Sequence, residues 1–278
     1  MATAQISATD SSAIGAAEAR YAAAKRRAML RRRILPIVGL VALIGGWALL
    51  VYGLDVKPFI APSPLVVVQT LIAKFGLLMS NLVPTATEAL VGFLLGNLVA
   101  IIGATLFVHF KSLEEMFFPI VVLINTIPVV AKAPILVLLL GNGMEPKIAI
   151  AALICFFPTL VNMVRGLESV NPQALELMRV LSASRTEIFF KLRLYNSLPY
   201  LFSALKISAS TATIGAIVGE WVSTTFGIGA LIVQAMYSFD SALLYATVFV
   251  GSGFAFCFFL VISAIERLVI RWHAPSVT

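Results

Sequence analysis

The chain has 278 residues, of which 60% are hydrophobic and only 12% charged. Soluble domains carry roughly 45–50% apolar residues with glycine included and about 25% charged ones, so a soluble globule, a disordered chain and a disulfide scaffold are all excluded. The formal charge of +7 would suggest nucleic acid on a soluble chain. On a membrane protein it marks the cytoplasmic side, where basic residues collect, and no nucleic-acid partner is expected.

Residues 1–19 are rich in Ala and Ser and are expected to be disordered. From Glu18 to Arg33 the chain reads as a basic helix lying on the anionic inner leaflet, so 1–33 forms a cytoplasmic N-terminal segment. A bilayer core of about 30 Å needs about 20 apolar residues per helix. Six runs qualify: 34–54, 85–108, 115–140, 147–164, 200–221 and 241–265. They are continuous, which excludes the alternating strands of an outer-membrane barrel. The first exceeds the ~7–15 residues of a signal-peptide core and reads as a retained helix. Pro58, Pro62 and Pro64 break the segment after it, and Leu65 to Leu78 is expected as an amphipathic surface helix outside. Residues 222–240 read as a turn and a short external helix, and 273–278 as a short cytoplasmic tail.

With the N-terminus inside, the inner segments hold fifteen basic residues and the outer ones three, Lys57, Lys74 and Lys147. That asymmetry orients the bundle with both termini cytoplasmic. The expected fold is therefore an all-α membrane protein, one domain over 34–272 with six transmembrane helices. Cys155 and Cys257 lie in apolar runs and read as small buried residues.

No Walker loop, no His-Glu-x-x-His and no Gly-x-Ser-x-Gly elbow occurs, and His109 and His273 are too far apart to suggest a metal site. No catalytic residue and no cofactor is expected in this chain. Transport or scaffolding is favoured over catalysis.

One internal segment, 165–199, is too long for a simple turn. Asn171-Pro172 is an N-cap with proline at the first helical position. Ala174, Met178 and Leu181 then share a helix face. Ser182-Ala183-Ser184 interrupts the helix. Ser184 with Glu187 forms a capping box for a second helix, whose apolar stripe is Ile188, Phe189 and Leu192. Pro199 is expected to mark re-entry into the fifth span. Such a helix pair either folds against the bundle or docks a soluble partner.

Glu176-Leu177-Met178, Ser182-Ala183-Ser184-Arg185 and Leu198-Pro199-Tyr200 resemble the EAA loop of permease subunits of bacterial ABC importers. Asn125-Thr126-Ile127-Pro128, Lys132-Ala133-Pro134, Gly141-Asn142-Gly143, Phe157-Pro158, and Gly219-Glu220-Trp221 through Gly227-Ile228-Gly229 resemble the nitrate/sulfonate/taurine permease family. The third-to-fifth-span segment is most similar to its branch for thiamine-pyrimidine or riboflavin-like precursors. Two positions depart from the pattern: Ser182 replaces the loop's usual glycine, and Tyr195 a frequent proline. Serine in a left-handed turn costs about 1 kcal/mol, which leaves open whether the turn is built differently.

The resemblance implies a six-helix bundle of the small ABC-importer permease type and a complex of two permease copies, expected to be an identical pair, with two ATPase subunits and an external solute-binding protein. Magnesium-ATP would then be bound by the ATPase. The coupling residues would be Ala174, Glu176, Leu177, Met178, Leu181, Ser182, Ala183, Ser184 and Arg185.

Ionisable groups in spans cost about 2.5–3.5 kcal/mol on insertion scales and usually face a cavity or a partner. Glu88 falls in the first turn of the second span, Lys132 between Pro128 and Pro134, and Glu220 near the outer end of the fifth. Asn125, Thr126, Pro128 and Lys132 read as one interrupted helix lining a passage. Lys132 alternatively snorkels outward or pairs with Glu88 or Glu220. Ser210 and Thr213, among small neighbours, mark a helix–helix contact, which the resemblance places beside the path. The expected function is uptake of a small polar or heteroaromatic solute: a sulfonate, a nitrate-like anion, or a pyrimidine or flavin precursor. The alternative is a secondary transporter or channel that uses the intramembrane charges without ATP.

Overall fold

The computed structural model describes residues 8–223 and 225–270. The expected tail 273–278, with His273, lies outside them, as do residues 1–7. The chain divides into two units, Met1–Val66 and Val67–Thr278. In the first, a single helix, α1 (Ala8–Gly53), is followed by a turn-rich stretch. Disorder was expected over 1–19, but the helix already runs from Ala8; alanine is the strongest helix former, and the Ala-rich run continues into the basic and apolar residues. Pro36 lies within this helix.

The remaining elements are all helical: α2 (Pro64–Ala73), α3 (Phe75–His109), α4 (Lys111–Thr126), α5 (Val129–Leu140), α6 (Glu145–Glu168), α7 (Pro172–Val180), α8 (Arg185–Ile188), a π-helical turn Phe189–Arg193, α9 (Leu194–Ser223), α10 (Ile228–Tyr237) and α11 (Ser241–Val269). Five helical stretches are long and apolar enough to cross a membrane, or six if the bent pair α4–α5 counts as one. That pair turns by 102° at Ile127-Pro128, so the interrupted helix read from the sequence is a sharp corner.

The core of the second unit is a three-helix contact of α3, α6 and α9. Small residues let the backbones meet. A side chain added at Gly92 would press on Ala151 and Ile148 of α6, and one at Gly215 would come within 2.8 Å of the Ala151 Cα. Ala89, Ala100, Ala104, Ala204, Ala209, Ala212 and Ala216 are buried at the same seams. In a membrane, where lipid is as apolar as leucine, such close packing is what drives helices together. Two apolar clusters flank it, one around Phe93, Phe202 and Phe258 and one around Leu160, Met163 and Phe189. Cys155 is buried as expected, whereas Cys257 is exposed on α11.

Two boundaries differ from expectation. The second span starts at Phe75, so Glu88 lies well inside α3 and not in its first turn. The helix of the fifth span runs through Pro199 without a break, its π turn absorbing the adjustment upstream. The turn and short helix expected over 222–240 are present as bends and α10, which buries Ile228, Gly229, Ala230, Leu231 and Ala235.

Candidate functional site

Three groups of residues carry the polar chemistry, and they lie in different places. The first is a buried cluster where α3, α6, α9 and α10 meet. Asn81, Thr85 and Glu88 fall on one face of α3 at spacings of four and three. Lys147, in the first turn of α6, is 3.5 Å from Glu88, and both side chains are almost fully buried. Thr85 donates to Glu220 Oε1 at 2.6 Å. The amide of Gly229 donates to Glu220 Oε2 at 2.6 Å, that of Ile228 to the Thr85 hydroxyl at 2.8 Å, and that of Gly227 to Asn81 at 2.9 Å. Side chains from α3 and α9 thus cap the N-terminus of α10, and the Glu220 carboxylate meets the positive end of its dipole. Gly227 is required: its φ is +117°, and an added Cβ would collide with the Glu220 carboxylate. Glu88 Oε2 finds no hydrogen-bond donor among the described residues.

A second, neutral network joins α3, α6 and α9. Thr159 donates to Asn97 at 2.5 Å and lies 3.1 Å from the Ser208 hydroxyl, while Asn97 donates to the Phe93 carbonyl. These contacts satisfy groups that lipid would leave bare.

The second place is the corner between α4 and α5. Asn125, Thr126 and Pro128 are exposed there, and Thr126 folds its hydroxyl back onto the Leu123 carbonyl. Asn125 and Lys132 line a small cavity of about 60 Å³ together with Phe156 and Phe157 of α6. Lys132 forms no ion pair with Glu88 or Glu220, one of the alternatives for it; Lys147 pairs with Glu88 instead. Among the described residues Lys132 forms no ion pair.

Ser210 and Thr213 are in neither place. They line a groove of about 520 Å³ between α9 and α11, with Ser252 and Phe256 opposite. Thr213 is buried and bonded to the Ala209 carbonyl.

The third place is the loop between α6 and α9. Asn171 accepts from the Gln173 amide, and Ser184 and Glu187 form the full capping box. The turn is built in the usual way despite the serine: Ser182 has φ +56°, with Ala183 N–H donating to the Met178 carbonyl and Ser182 N–H to that of Arg179. That is a Schellman closure with serine at its left-handed position. Tyr195 sits inside continuous helix. Ala174 and Met178 turn partly inward, while Glu176 is exposed. The free apolar face is instead Leu177, Val180 and Leu181, at 60, 81 and 67% exposure. Arg185 and Ala183 line a basic cavity behind the helix.

Sequence reasoning missed Lys147, Asn81, Thr85 and Val180. The first three were legible as polar residues at helical spacing inside or beside apolar runs. Val180 was hidden because the apolar face was drawn through Met178, whereas Leu177 and Val180 on either side of it carry the exposed apolar surface.

Residues 92–274 match the family of the binding-protein-dependent transport system inner membrane component. The chain is 32% identical to the formylaminopyrimidine transport permease protein ThiX of Halalkalibacterium halodurans, over 78% of this chain and 87% of that protein. It is 33% identical to the riboflavin transport system permease protein RibX of Chloroflexus aurantiacus, over 78% and 81%. To the putative aliphatic sulfonates transport permease protein SsuC of Bacillus subtilis it is 25% identical, over 90% of each.

Proposed function

Because the chain belongs to the inner-membrane component family of binding-protein-dependent transport systems, as the permease subunit of an ABC importer and a multi-pass inner-membrane protein, we propose that it carries a small heteroaromatic solute. In this reading, two identical copies form the path, two ATPase subunits bind magnesium-ATP, and an external binding protein delivers the solute. The chain itself catalyses nothing. It crosses the membrane six times, the α4–α5 pair counting as one broken span, with both termini cytoplasmic.

The observation that carries the coupling role is α7. It is a capped helix outside the spans whose Leu177, Val180 and Leu181 have nothing to cover them among the described residues. An ATPase groove that takes this face would pull on α6 and α9, since α7 is joined to the first by three residues and to the second through α8 and the π turn. Glu176, Ser182, Ser184 and Arg185 set the shape and charge of this element.

For the solute, the ThiX and RibX names favour a ring bearing carbonyls and nitrogens. The α4–α5 corner has groups of matching chemistry: Asn125 and Lys132 to hydrogen-bond ring oxygens, and Phe156 and Phe157 to stack. Ser210 and Thr213 border the path from the other side. Glu220, bound into the α10 cap, and Glu88, paired with Lys147, are given a mainly structural role in this reading.

Uptake into proteoliposomes, with ATPase and binding protein added, should be measured over pyrimidines, flavin precursors, sulfonates and nitrate. ATP-driven uptake of a pyrimidine or flavin precursor is expected. Uptake confined to sulfonate or nitrate would reject the heteroaromatic solute, and uptake independent of ATP would reject the importer. Topology is checked separately: a cysteine at Gly143 should be labelled from outside intact cells, and one at Ser182 should not.

A further inference from the structure

A cavity of about 460 Å³ lies outside the helical core, where the 165–199 loop meets the end of α3. Arg179 of α7, Arg185 of α8, Arg193 of the π turn and His109 of the last turn of α3 all line it. No acidic residue does. Of the carboxylates nearby in sequence, Glu187 is engaged with Ser184 and Lys191 and Glu168 with Lys111, while Glu176 is exposed on α7 and does not line the cavity. Among the described residues none of the three guanidiniums forms an ion pair. Three like charges facing one space repel each other unless an anion enters, and guanidinium forks fit phosphate oxygens.

Apolar side chains stand between the cations. Leu175 lines the cavity, and the buried Phe189 packs its ring 5.0 Å from that of His109. The π turn, a geometry that recurs at functional sites, carries both Phe189 and Arg193 into this wall. The cavity also lies at the ends of two long apolar helices, since α3 ends at His109 and α9 continues directly from Arg193. A phosphate anchored on a glycerol and acyl neck uses the cations and the apolar wall together, which a free anion or a partner's carboxylate does not.

We propose that this cavity binds the phosphate headgroup of an anionic phospholipid of the cytoplasmic leaflet. The leaflet assignment rests on the proposed topology. The assay in detergent does not, so a wrong topology and a failed lipid site are distinguishable. Purified full-length chain is incubated with equal phosphatidylglycerol and phosphatidylcholine, and native mass spectrometry counts the retained lipid. The wild type should prefer phosphatidylglycerol, and each guanidinium removed should cut that preference about fivefold. Combined Arg179→Gln, Arg185→Gln and Arg193→Gln should abolish it, whereas Arg267→Gln, at the end of α11, should leave it intact.

An unchanged preference in the triple variant overturns the proposal. So does displacement of the lipid by millimolar inorganic phosphate, which would make this a small-anion site. Loss of ATPase co-purification with lipid preference intact would give the surface to the ATPase instead, and also overturns it. If the triple variant does not accumulate, Arg179→Gln alone, on an exposed and unpaired residue, carries the same test with the same fivefold expectation.

Discussion

The α10 cap and the face of α7 treat their residues in opposite ways. In the first, groups that do not belong in a membrane are mostly given partners: Glu220 accepts from Thr85 and Gly229, and Lys147 sits against Glu88, whose Oε2 alone is left without a donor among the described residues. In the second, groups that do not belong in water are left open, with Val180 at 81% exposure on a nine-residue helix. A charge inside a span is therefore no sufficient sign of a path, because it can be absorbed by the fold. Unspent chemistry is the better sign, and here that means the apolar face of α7 and the lone ammonium of Lys132.

The comparison breaks most visibly at the cap. Lys147→Met leaves Glu88 buried without its cation, which should cost about 3–5 kcal/mol. The readout is membrane abundance and thermal inactivation in detergent, and both should fall while the lost uptake merely follows abundance. If the variant accumulates normally yet transports nothing, the cluster is part of the path after all.

Lys132→Met is its counterpart in the spans. Lys132 has no ion-pair partner among the described residues, so removing its charge should leave abundance and ATPase assembly unchanged while uptake falls by about tenfold, the effect of losing roughly 1.4 kcal/mol of solute interaction. Uptake at wild-type rate would assign Lys132 to lipid headgroups.

A smaller effect is expected at Asp240, which caps α11 through the Leu243 amide and pairs with Lys74 at 2.7 Å. Partial burial raises its pKa, but the Lys74 ammonium and the Leu243 N–H together outweigh it, so the folded-state value lies below the ordinary carboxylate range. A depressed value means that the stabilisation is present above the unfolded pKa of about 3.9 and is lost as pH falls through the folded one. Asp240→Ala should cost about 1 kcal/mol at neutral pH. Its stability should also decline less steeply than wild type as pH falls below about 4.

An effect of similar size and opposite sign is expected of Ser182→Gly, which should relieve a left-handed serine and stabilise the loop by about 1 kcal/mol, read as slower proteolysis between α7 and α8. Unchanged proteolysis would mean that Ser182 carries no strain.

The elements of this fold were legible where the signal is local. Apolar runs located the spans because the bilayer fixes their length, and Asn171-Pro172 and Ser184 with Glu187 located the loop helices because caps are written in adjacent residues. Partners were not legible. Lys147 was read as an external charge because it precedes an apolar run, and only packing of α6 against α3 brings it to Glu88. Pro199 was read as a boundary because proline usually is one, yet a span supported by neighbouring helices tolerates it. Met178 and Val180 are two residues apart on one short helix, and which of them faces outward depends on how the loop leans on the bundle.

The central claim is that the open face of α7 is where the ATPase takes hold. Leu177→Asp with Val180→Asp tests it most directly, since exposed substitutions cost only about 0.5 kcal/mol of stability. Co-purification of the ATPase and ATP-driven uptake are measured on one preparation. Normal membrane abundance with both readings lost is the predicted result; wild-type co-purification and wild-type uptake would contradict the coupling role of this helix.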